Sequence, residues 1–185
     1  MTGIATAQIS PYSQDFEGLV DTDPNALGND GWLVGANVFD PPGTTFLYNY
    51  FAFPAPNGGP AFSVIAVGQG GPAQGNQQIV AYNDYNNGDH NIGNQIEANL
   101  FREWVVDASN VGETWEFSFD ARLNDLAPPT SALAFIKMLD PNAGFALSAF
   151  ETADMAVISG ASWSSFQLST TIGAGQVGHI FQIGF

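Results

Sequence analysis

The sequence contains no cysteine, which rules out a disulfide framework and any thiolate metal site. Basic residues are nearly as scarce. Arg102, Arg122 and Lys137 stand against 18 acidic residues, for a formal charge of -15. Nucleic acids and anionic membranes are bound through clustered Lys and Arg, so neither is an expected partner. No stretch approaches the roughly 20 apolar residues of a membrane-spanning helix, and membrane insertion is not expected. Phosphate loops, nucleophile elbows and zinc-protease motifs are missing too, and the reading is of a protein that is not an enzyme. His90 and His179 are the only histidines, and their separation in sequence assigns them no metal.

What remains is apolar and aromatic. Hydrophobic residues make up 45% of the 185, with 15 Phe and 4 Trp, enough for one core without cross-links. The expected organisation is an extended N-terminal arm over residues 1–13 and a single β-sandwich domain over 14–185. Ala5, Thr6 and Ala7 have the small-x-small form of a signal-peptidase site. With the acidic surface, this points to a secreted protein, extracellular or at the cell surface.

The clearest local signal lies in residues 112–122. Trp115, Phe117, Phe119 and Ala121 alternate with Glu116, Ser118, Asp120 and Arg122, the two-residue period of a half-buried strand. Further strands are expected at 14–19, 32–39, 44–53, 62–67 and 77–82. The 96–106 stretch fits both periods. Ile96, Leu100, Phe101, Trp104 and Val105 have helical spacing, while Ala98, Leu100, Trp104 and Val106 alternate, and the all-β surroundings favour a strand. Residues 132–139 and 145–150 read as a hairpin about Asp140, Pro141, Asn142, Ala143 and Gly144. Residues 163–171 and 177–185 read as a second pair. About ten strands separated by Gly, Pro and Asn turns predict an all-β, two-sheet antiparallel β-sandwich of jelly-roll type.

Three stretches resemble a known family. Asp15, Phe16, Glu17 and Gly18, followed by Gly31 and Trp32, resemble the opening of carbohydrate-binding-module jelly rolls. These are the galactose-binding-like sandwiches found beside many bacterial glycoside hydrolases. Residues 111–119 resemble their middle strand, and 163–184 their penultimate strands. The resemblance implies a structural calcium with Glu17 among its ligands. The family adds a further strand bearing an aspartate near that calcium, whereas this sequence stops at Phe185.

Calcium takes oxygen ligands, and the Asn- and Asp-rich segment 83–94 offers Asp84, Asn86, Asp89 and Asn91. Its glycine, Gly88, falls one place early for a helix-loop-helix calcium site, and Gln95 stands where the closing glutamate belongs. The same segment also reads as a turn whose side chains bond their own backbone. Glu17, Asp84 and Asp89 are therefore the candidate metal residues. Glu116 and Asp120 share one strand face, but Arg122 beside them reads as an ion-pair partner. Tyr48, Tyr50, Tyr82, Tyr85 and Trp104 are the candidates for stacking on sugar rings.

Two functions follow. The first is a non-enzymatic extracellular structural subunit that self-associates by β-strand complementation into a fibre or matrix. An unpaired edge at 177–185 would accept the arm of another copy, with Ile4, Thr6, Ile9, Val177, Phe181 and Phe185 as contact candidates. The alternative is a calcium-stabilised carbohydrate-binding module, normally part of a longer chain, whose partner is a polysaccharide.

Overall fold

The computed structural model describes residues 9–52, 63–82, 87–126 and 128–185. The chain packs into two compact units. One unit is Ser13–Phe101; the other joins Arg102–Phe185 to the segment ending at Tyr12. Ten strands and two four-residue helices are described, all strand pairs are antiparallel, and the fold class is the expected all-β one.

In the Ser13–Phe101 unit, β1 (Leu33–Phe39) lies between β2 (Phe46–Ala52) and β5 (Gln95–Val105), whose residues beyond Phe101 belong to the other unit, while β3 (Ser63–Val67) pairs with β4 (Gln77–Ala81). Val34, Ala36 and Val38 of β1 are buried on one face, opposite Leu100, Ala98 and Ile96 of β5. Gly35 and Asn37 occupy the other face, as the pleat requires. The strand expected at 14–19 is absent. Gln14 and Asp15 accept the amides of Phe16 and Glu17 with their own side chains, Leu19 N–H donates to Phe16 C=O, and Phe16 takes a φ of 65°. These local bonds turn the backbone away from any ladder. Beyond them lies the short helix α1 (Ala26–Asn29), and before β5 the equally short α2 (Asn87–His90).

In the other unit, β6 (Thr114–Ala121) pairs with β9 (Ser164–Thr171), and β7 (Leu133–Asp140) lies between β8 (Ala146–Asp154) and β10 (Ile180–Gly184). The sheets share a core of Trp104, Phe117, Ile136, Met138, Ile172 and Phe181, with Ile9 packed among them. β6 behaves as its alternation predicts. Phe117 is buried and Trp115 and Phe119 are half-buried, while Thr114, Glu116, Ser118 and Asp120 face outward.

The expected pairing of 163–171 with 177–185 does not occur. β9 runs beside β6, with Phe166 opposite Phe119 and Leu168 opposite Phe117, whereas β10 pairs with β7. The turn around Gly173 carries the chain from one layer to the other, because each strand finds its apolar complement there and not in its sequence neighbour.

Candidate functional site

The structure gives the two described metal candidates, Glu17 and Asp89, different local roles. Glu17 Oε1 accepts the amides of Asn76 (2.6 Å) and Gln77 (2.7 Å), and the Gln77 side-chain amide donates to the carbonyls of Phe16, Glu17 and Leu19. Successive N–H groups cradle one carboxylate oxygen, and the carboxylate thereby staples segment 16–19 to the start of β4. Asp89 is buried. Its two oxygens accept from Tyr48 O–H and from Asn94 Nδ2 (2.6 Å), and its carbonyl accepts the amides of Ile92 and Asn94. Asp84 lies outside the described residues. No group of three or more His, Asp or Glu side chains gathers among the described residues.

Of the aromatic candidates, Tyr48 and Tyr82 are exposed, and the Tyr48 and Tyr50 rings lie 6.2 Å apart. Tyr85 lies outside the described residues. Trp104 is not a platform: it is buried against Tyr12 and Phe181. On the polar face of β6, Asp120 accepts from Ser165 Oγ (2.6 Å) and Glu116 from Gln167 Nε2 (3.0 Å). The Arg122 guanidinium stands 5.6 Å from the Trp163 ring centre.

The self-association residues need the largest correction. β10 is an interior strand, flanked by β5 and β7, so it has no open edge to offer. Phe181 and Ile9 are core residues, each 3% exposed, and Phe185 is half-buried against Phe117 and Phe119. The segment carrying Ile9 is also held by Tyr12, whose ring lies 3.6 Å from the Arg102 guanidinium. It is docked on its own unit, because a large apolar side chain gains more from the core than from water. Val177 is exposed; Ile4 and Thr6 lie outside the described residues.

Exposed edges exist elsewhere. β2 has β1 on one side and, among the described residues, no strand bonded on the other. It holds no charged residue, and Phe46, Leu47, Tyr48 and Phe51 are all exposed. Phe51 is 72% exposed, and its ring rests over Gly35, with Cε1 only 2.9 Å from where a Cβ there would stand. Any larger residue at 35 would lift that ring. Gly35 is opposite both Phe51 and Asn99, and Asn37 opposite both Asn49 and Glu97, so an aromatic ring and a row of amides share one sheet face. β8 is the corresponding edge of the second unit, with Leu147 and Phe150 exposed and Glu151 and Asp154 in the strand. Sequence reasoning misses Phe46, Leu47 and Phe51. The available signal is an apolar stretch on both faces with no charge to protect it.

Comparison with protein-family models, with curated proteins and with solved structures finds no match.

Proposed function

We propose that this chain is an extracellular structural subunit that self-associates by strand addition, with β2 of one copy joining β8 of the next. The uncharged, exposed β2 edge carries the reading. In a chain of charge -15, copies repel one another wherever charges meet, and β2 is a strand edge free of that repulsion. Two β8 edges would oppose Glu151 and Asp154 to their own kind, whereas β2 against β8 sets no like charges together. Unlike edges joined head to tail give an open polymer, not a closed dimer. The small-residue pattern at Ala5, Thr6 and Ala7 and the acidic composition support a place outside the cell; no helix among the described residues is long and apolar enough to cross a membrane.

Negative-stain microscopy tests this. Wild-type protein is expected to form fibres, and Asn49→Lys, which places a charge in the exposed middle of β2, is expected to form none. Ser169→Lys on the polar face of β9 is the matched charge control and should assemble like wild type. Fibres from Asn49→Lys, or single particles only from wild type, would remove the proposal.

A second reading, the calcium-stabilised carbohydrate-binding jelly-roll module, draws on Phe51. An exposed ring beside Asn37, Asn49 and Asn99 combines a stacking surface with amides for sugar hydroxyls. On this reading Phe51→Ala lowers retention on a neutral polysaccharide column, and a chelator lowers the melting temperature, since an ion bound only to the folded state stabilises it. Unchanged retention and unchanged melting would retire it.

A further inference from the structure

Asp140 ends β7, Ser148 lies in β8, and His179 immediately precedes β10. In the β7–β8 ladder Met138 faces Ala149 and Leu139 faces Leu147, which leaves Ser148 as the extra residue of a β-bulge. Bulges re-aim side chains, and here the hydroxyl is turned toward a histidine. Ser148 Oγ lies 2.8 Å from His179 Nδ1, and His179 Nε2 lies 3.7 Å from Asp140 Oδ1. The residue bearing the imidazole is only 8% exposed. Its backbone is fixed on both sides, with its N–H donating to Gln176 C=O (3.0 Å) and its C=O accepting from Val106 N–H (2.9 Å). Asp140 is oriented in turn by the Asn142 amide, 2.8 Å from Oδ1.

At 3.7 Å, Asp140 is an electrostatic neighbour of Nε2 and not a hydrogen-bond partner. With its proton on Nε2, the side nearer Asp140, the neutral ring presents the Nδ1 lone pair to Ser148, 2.8 Å away. The Ser148 hydroxyl has one other acceptor, Met138 C=O, at the longer distance of 3.3 Å. Hydroxyl, base and carboxylate thus stand in the order of a serine-hydrolase relay, with the two ring nitrogens exchanged; proton transfer needs only a lone pair in reach.

We propose that Ser148 is a nucleophile activated by His179, with Asp140 as positioning residue, and that it takes acyl groups from uncharged carboxylic esters. This activity goes beyond the structural role above and does not depend on it. Phe145 and Leu147, exposed in the same hairpin, give the surroundings their apolar character. In the first step Ser148 Oγ bonds to the ester carbonyl carbon while its proton passes to Nδ1. The carbon–alkoxy bond breaks, and the alcohol leaves with that proton. Water then attacks the acyl-serine, giving a proton to Nδ1, and the carboxylic acid departs as Oγ regains it.

A fluorophosphonate tests the nucleophile directly, because the same oxygen displaces fluoride from phosphorus and leaves a stable adduct. Mass spectrometry of the whole chain should place one adduct on Ser148, absent in Ser148→Ala and formed at least about tenfold more slowly in His179→Gln. Asp140→Asn should slow labelling of Ser148 several-fold, and the conservative Asp140→Glu should restore much of the rate, which a merely structural role would not require. An unlabelled Ser148, or labelling at the wild-type rate in His179→Gln, would overturn the proposal. If His179→Gln fails to fold, selectivity in the wild-type protein decides: labelling of Ser148 no faster than of the exposed Ser169 also overturns it.

Discussion

The turn between β1 and β2 is held by the Asp40 side chain and by Gln95 Nε2, which donates to Pro41 C=O. Asp40 Oδ1 accepts the amides of Thr44 and Thr45 at 2.8 Å each. These bonds, the Thr45 amide first, hold the Asp40 carboxyl below its ordinary value. A carboxylate depressed in this way contributes stability above its unfolded pKa and loses it as pH falls through the folded value. Asp40→Ala should therefore melt below wild type at pH 7, with the gap closing once pH drops under about 4. Calorimetry over that range would check it, and a constant gap would contradict it. Asp89 shows where residue-level reading stops. A run of Asn and Asp reads as solvated, yet one carboxylate that finds Tyr48 and Asn94 is satisfied in a buried place. Tyr48 comes from β2, 41 residues away in the chain, so the composition of the segment cannot reveal it.

Strands are legible where one face is wet. The alternation from Trp115 to Ala121 announces both the type of β6 and the face it buries. Pairing is less so, because Phe166 and Leu168 suit any apolar neighbour, and only the completed fold selects Phe119 and Phe117. Edge or interior status is not legible at all: β10 and β8 both carry apolar side chains, but β10 is covered on both sides. This contrast predicts energetics. Ile136 of β7 is fully buried, so Ile136→Ala should cost about 2–5 kcal/mol in a urea titration. Leu147→Ala on the β8 edge should stay within about 0.5 kcal/mol. Equal losses would mean the two strands are covered alike.

For the molecule as a whole, composition carries far. Lacking cysteine and poor in base, the chain is legible as an acidic all-β protein built on aromatic burial, and that is its fold class. The proposed joining surface is not legible, because it depends on which strand each unit leaves outermost. Charge also sets how association should respond to solvent: salt screens the repulsion of a -15 chain and should strengthen it. Sedimentation velocity over a concentration series is the most direct check of the edge-to-edge claim. Wild-type mass should climb with concentration, and further with added salt, while Asn49→Lys remains at the mass of one chain. Identical sedimentation of the two proteins at every concentration would contradict it.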